Sequence, residues 1–111
     1  MDIESSLYAN FVDFVKSADA DFEKGLYNPA VSSYFKALAI LCDWMIYRKR
    51  KVLSKNHSER FLFLKINFKD AYDLLSPLFK EYRDSYNIRM SKKDALKLKE
   101  NVRKLKEIFK A

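Results

Sequence analysis

A chain of 111 residues that is 49% hydrophobic and 15% aromatic carries enough apolar side chain for one self-sufficient core, which excludes intrinsic disorder. One Gly and two Pro exclude the many-turned β architectures, and a lone Cys excludes disulfides and cysteine-based zinc sites and favours an intracellular compartment. The net charge of +7 is lopsided, because residues 1–47 hold three basic and seven acidic side chains while residues 48–111 hold nineteen and eight. Such a division suggests a polyanionic partner for the second half, against the plainer reading of a Lys-rich surface that serves solubility.

The first predicted helix covers residues 7–22, with Leu7, Phe11, Phe14, Val15, Ala18 and Phe22 on one stripe and Asp13, Lys16, Asp19 and Asp21 opposite. Gly25 is its stop. Asn28 then reads as a cap and Pro29 as the first position of a second helix that meets no breaker before Arg50. Ala30, Val31, Tyr34, Ala37, Leu38, Leu41, Trp44 and Met45 recur at three-four spacing, and Phe35, Ile40 and Cys42 widen the apolar face almost all round. A helix of this kind must be covered by others, so it is the expected centre of a bundle, with Cys42 as a small core side chain and Trp44 mostly buried. The short link at Gly25 makes the first two helices an antiparallel hairpin.

Asn56 and Glu59 give a capping-box-like start to a third helix carrying Phe61, Leu62, Leu64 and Ile66, with an interruption expected at Asn67 or Lys69. Ala71, Tyr72, Leu74 and Leu75 resume the pattern as far as Ser76-Pro77, read as a cap and the first position of a fourth helix lined by Leu78, Phe79, Tyr82 and Tyr86. Ser91 and Asp94 open the last helix, whose Ala95, Leu98, Val102, Leu105 and Phe109 keep helical spacing. The expectation is an all-α, up-and-down antiparallel bundle of four to five helices forming one domain over residues 1–111. Met1-Asp2-Ile3-Glu4 lacks a basic, apolar leader, and charges interrupt every apolar run, so a cytoplasmic protein with no membrane segment is expected.

Little in the chain suggests small-molecule chemistry. One His and one Cys on different elements give no metal centre, and the single Gly gives no phosphate loop; no cofactor is expected. Carboxylate pairs such as Asp19/Glu23 and Asp70/Asp73 have the spacing of ordinary solvated helix faces. The run GLYNPAVSSYFKAL is similar to the middle of a tetratricopeptide repeat, but the ~34-residue period does not recur, which leaves only the packing of one helical hairpin.

A second likeness spans residues 7–109. Gly25, Tyr27, Ala30, Tyr34, Ala37 and Leu38 form a Gly-Tyr turn into an Ala/Tyr-rich helix. They are followed in order by Asn56-His57-Ser58, by Tyr82-Arg83-Asp84-Ser85-Tyr86 and by a final helix begun at Ser91. In this the chain resembles the HEPN domain family. The resemblance implies a small helical bundle, typically dimeric, found alone or beside minimal nucleotidyltransferases and including toxin-like ribonucleases and non-catalytic RNA-binding relatives. It also implies an Arg for the scissile phosphate and a His for acid-base work on the 2′-hydroxyl. Arg83 falls where that Arg is expected, but Asn87, Ile88, Arg89 and Met90 supply no His. Arg50 and His57, with six residues between them, match the separation of four to six residues that the resemblance implies, at an earlier place in the chain.

The resulting expectation is a non-catalytic HEPN-like bundle that binds RNA or a nucleotidyltransferase-type protein. Arg48, Lys49, Arg50, Lys51, Lys55 and Arg60 would contact phosphates, and Tyr47 or another ring would stack a base. The alternatives are a metal-independent ribonuclease using Arg50 or Arg83 with His57, the latter otherwise a helix-start residue bonding nearby backbone, and a purely structural interaction protein. Seventeen aromatic residues exceed what a small core needs, so a homodimer with an aromatic interface is expected.

Overall fold

In the computed structural model, which describes residues 1–111, helix α1 spans Ile3–Glu23 and begins well before its apolar stripe. The cause is Asp2, whose carboxylate accepts from the Ser5 N–H at 2.7 Å and caps the helix. At the other end the Gly25 N–H donates to Phe22 O and the Leu26 N–H to Asp21 O, a Schellman closure. It requires the left-handed backbone that Gly25 adopts at φ +75°. The stop expected at this glycine is present.

Helix α2 covers Tyr27–Arg50 and buries eleven of its 24 residues, including Tyr34, Phe35, Leu38, Leu41, Cys42 and Trp44, so it is the central element. Its start differs from the sequence reading. Asn28 lies inside the helix rather than capping it, and Leu26 occupies the cap position without a side-chain bond. The Asn28 amide instead crosses the bundle, donating to Ser85 O at 2.8 Å and Ile88 O at 2.7 Å and accepting from the Met90 N–H at 2.9 Å. The side chain satisfies three backbone groups of the segment before the last helix, which otherwise have no secondary-structure partner.

Helix α3 is His57–Asn67, capped by Asn56 accepting from the Glu59 N–H at 2.8 Å. Phe68 breaks the chain between the two expected positions, and α4 runs Lys69–Leu75. Ser76-Pro77 does not start anew: Ser76 has helical dihedrals and makes no cap bond, and a single 3₁₀ turn, Ser76–Leu78, leads into α5, Phe79–Asp84. Pro77 near the start of that turn forgoes an N–H that would have closed the preceding α-helix, which accounts for the tightening. Helix α6, Lys92–Phe109, has the full reciprocal Ser91/Asp94 capping box.

The helices form an all-α bundle in which the chain reverses direction between α1 and α2, α3 and α4, and α5 and α6, while the 3₁₀ turn carries α4 on into α5 and α3 does not reverse α2. Asp43–Arg60 and Arg50–Asn67 both join residues 17 apart, so α3 runs parallel to the last two turns of α2. Residues 51–56 must therefore travel back about 15 Å beside α3, a distance that six extended residues can span at roughly 20 Å. Lys51, left-handed at φ 57°, starts that return. From Phe68 the chain climbs to the Asn28 end, and α6 descends again, placing Phe109 against Phe68 with ring centroids 5.6 Å apart. The C-termini of α2, α3 and α6 thus meet at one pole, beside the starts of α1, where Glu4 lies 3.9 Å from Arg48, and of α4 at Lys69. No helix is long and apolar enough to cross a membrane.

Candidate nucleic-acid interface

That pole carries the basic run predicted from the sequence. Arg48, Lys49 and Arg50 occupy the last turn of α2, where cations complement the negative end of the helix dipole, and Lys51 caps it. All four are exposed, as is Lys55 in the returning loop. Arg48 lies 4.6 Å from the Trp44 ring and 3.9 Å from the Glu4 carboxylate, a long and exposed pair of little strength. Lys49 Nζ sits 5.1 Å from the Phe68 ring and Lys51 Nζ 5.3 Å from the Tyr47 ring, and Arg50 donates to Asn67 Oδ1 at 3.0 Å. No side-chain nitrogen of Lys49, Arg50, Lys51 or Lys55 has a carboxylate within 4.0 Å, although the Lys55 backbone N–H donates to the Glu59 carboxylate at 3.2 Å.

Between these cations the surface is concave. Two adjoining depressions of 340 Å³ and 470 Å³ share Met45, Phe68 and Phe109 as an apolar floor, and Arg48, Lys49, Lys69 and Lys110 stand on the rim. Asp70 is the one carboxylate among the lining residues. Lys69 and Lys110 were missed by the sequence reading because they are remote in the chain. Lys110 follows Phe109, the last periodic residue of α6, and that adjacency was the available signal.

Arg60 does not belong to this interface. It donates to both Asp43 carboxylate oxygens, at 2.8 Å and 2.9 Å, with the two side chains only 12% and 13% exposed. Its cationic fork is committed to an internal bidentate pair rather than offered to phosphates. A further nitrogen of the same fork lies 2.7 Å from His57 Nδ1, so with the guanidinium always protonated that ring nitrogen is the acceptor. The bonding of His57 to nearby backbone, expected for a helix-start residue, is replaced by this contact. The His57 ring packs at 4.9 Å from Phe79, 5.8 Å from Tyr82 and 6.0 Å from Phe35. Burial among these rings, reinforced by the Arg60 charge, lowers its pKa below the ordinary 6.5, against a weaker upward pull from Asp43.

The ribonuclease pairings fare differently. Arg50 bonds the last residue of α3 and His57 is the first, which puts about 15 Å of helix between them. Arg83 comes nearer: its guanidinium stands 5.2 Å from the Phe79 ring that His57 also touches. It is exposed and forms no ion pair, since Asp84 binds Lys80 at 2.7 Å instead, and it stands in the last turn of α5. Neither Arg83 nor His57 lines any of the surface depressions. Nowhere do three or more His, Cys, Asp or Glu groups converge. Cys42 is fully buried in the core, where desolvation pushes its thiol well above the ordinary range.

The aromatic face expected to carry a homodimer is absent. Tyr86 is the sole exposed aromatic residue, and the others fill the core or its margin, Trp44 at 9% exposure among them. The remaining apolar surface is aliphatic, chiefly Leu62 and Ile66 one turn apart on α3, 58% and 71% exposed. No protein-family model matches the chain, and neither a curated protein nor a solved structure shows significant similarity to it.

Proposed function

We propose that this protein is a non-catalytic, HEPN-like helical bundle that binds single-stranded RNA at the pole where α2, α3 and α6 end. The observation that carries the reading is an aromatic-floored depression with exposed Lys49 and Lys110 on its rim and Arg50 and Lys51 at the same end of α2, no side-chain nitrogen of the four lying within 4.0 Å of a carboxylate. Cations beside rings suit a strand that offers both phosphates and bases. A duplex surface would be served by cations alone. His57 does not support a catalytic reading, since Arg60 occupies one ring nitrogen and three aromatic rings pack against the half-buried imidazole.

The test is titration of a labelled single-stranded RNA across a range of salt concentrations, with the RNA recovered afterwards. If about four cations reach phosphates, log K against log salt should have a slope near roughly −3. Absence of binding at low salt refutes the reading, and cleavage of the strand replaces it with the ribonuclease. A second reading, contact with a nucleotidyltransferase-type protein or a second copy, is favoured by the exposed Leu62/Ile66 pair, whose burial would be the mark of that interface.

A further inference from the structure

We infer that the depression floored by Met45, Phe68 and Phe109 seats one nucleobase of the bound strand, an inference that rests on the nucleic-acid reading above. A phosphate does not suit the floor, which consists of a thioether and two phenyl rings and offers no hydrogen-bond donor. An uncharged apolar ligand does not suit the rim, where Lys49 and Lys110 have no carboxylate within 4.0 Å of their ammonium groups and Arg48 is only loosely paired with Glu4 at 3.9 Å, although Lys69 is held by Asp73 at 2.8 Å. What matches both is a flat, neutral ring carried on a polyanion, with the ring on the floor and its flanking phosphates at the rim.

The geometry of the rings fits a stacked occupant. Phe68 and Phe109 meet edge to face, 5.6 Å apart at 79°, which fixes the Phe68 plane. Phe109 is 6% exposed and so anchors the pair, whereas Phe68 is half-buried. Lys49 Nζ lies 5.1 Å from the Phe68 ring, so a cationic side chain already reaches that ring from the rim. A base there would bring its own phosphate to the Lys49 ammonium. The depression that Lys49 lines, at 470 Å³, lies within the range of sites that hold small ligands, about 300–1,000 Å³.

The experiment compares an oligouridine strand with an abasic ribose-phosphate strand of equal length, each titrated against the wild-type chain and Phe68→Leu. The wild type should bind the base-bearing strand about tenfold more tightly, the scale of one base stacked on an aromatic ring. The two strands should share one salt slope, and Phe68→Leu should abolish the preference while keeping that slope. Equal binding of both strands by the wild type, or a preference that survives in Phe68→Leu, overturns the base seat and leaves the phosphate contacts standing. Failure of both strands to bind at low salt removes the nucleic-acid reading itself. A measurement on the wild type guards against a variant that fails to fold: photocrosslinking of a 5-iodouridine strand should label Met45, Phe68 or Phe109, and labelling confined to other residues overturns the proposal.

Discussion

Replacing Asp43 by Ala leaves the Arg60 guanidinium nearly buried with no carboxylate opposite. In the native chain the pair makes two hydrogen bonds, at 2.8 Å and 2.9 Å, at 12% and 13% side-chain exposure, and the same guanidinium holds His57 Nδ1. Removing one member of such a pair costs roughly 3 kcal/mol, far above the ~0.5 kcal/mol of a surface ion pair, because the surviving charge cannot reach water. For a chain of this size about 3 kcal/mol corresponds to a fall in Tm of roughly 10 °C. Urea unfolding followed by the fluorescence of buried Trp44 and by far-ultraviolet circular dichroism measures the loss, with the slope unchanged. Asp43→Leu combined with Arg60→Leu should recover much of it, since an apolar pair carries no unpaired charge. A loss under about 1 kcal/mol in Asp43→Ala would refute the reasoning, because it would mean that Arg60 reaches solvent and can serve phosphates after all.

Two other outcomes follow from the same structure. Because His57 is held neutral, with its folded pKa below the unfolded 6.5, the unfolded chain binds more protons as pH falls below 6.5. Its contribution is therefore fully present above pH 6.5 and lost as pH drops through the folded value; His57→Gln should flatten the stability profile below pH 6.5, whereas an unchanged profile would contradict the assignment. Asn28→Ala should destabilise by about 1–3 kcal/mol, as three backbone groups lose their partner. Hydrogen exchange at the Met90 amide should accelerate in that variant ahead of the rest of the chain, and equal protection with and without Asn28 would show that the contact carries no weight.

Periodicity and capping chemistry are local, and they made most of the architecture legible. The Gly25 stop, the Asn56 cap, the Ser91/Asp94 box and the apolar circumference of α2 are each written within a few residues, and each is present in the structure. What could not be read was where a polar side chain goes when two choices are chemically equal. Asn28 is as good a cap as a cross-bundle clamp, and only the position of residues 85–90 decides between them. Arg60 illustrates the same limit, since a cation near a basic run looks like a ligand for phosphate until α3 is seen to run parallel to α2 and bring Asp43 opposite. The aromatic residues misled through composition, because α2 is sheathed on several sides and absorbs more rings than a two-sided core would. The groove at the pole joins Met45, Phe68 and Phe109 from three helix ends, a convergence no single stretch of sequence records.

The central claim is that nucleic-acid affinity resides at the α2 pole and does not arise from the net charge of +7 as a whole. The most direct measurement compares two double variants that remove the same charge, Lys49→Ala/Arg50→Ala at the pole and Lys93→Ala/Lys104→Ala on the exposed face of α6, in salt titrations with one labelled single-stranded RNA. The pole variant should weaken binding and flatten the slope of log K against log salt by about one to two units, while the α6 variant should keep the wild-type slope. Equal flattening in both variants would contradict the account and reduce the interaction to diffuse attraction between a basic protein and a polyanion.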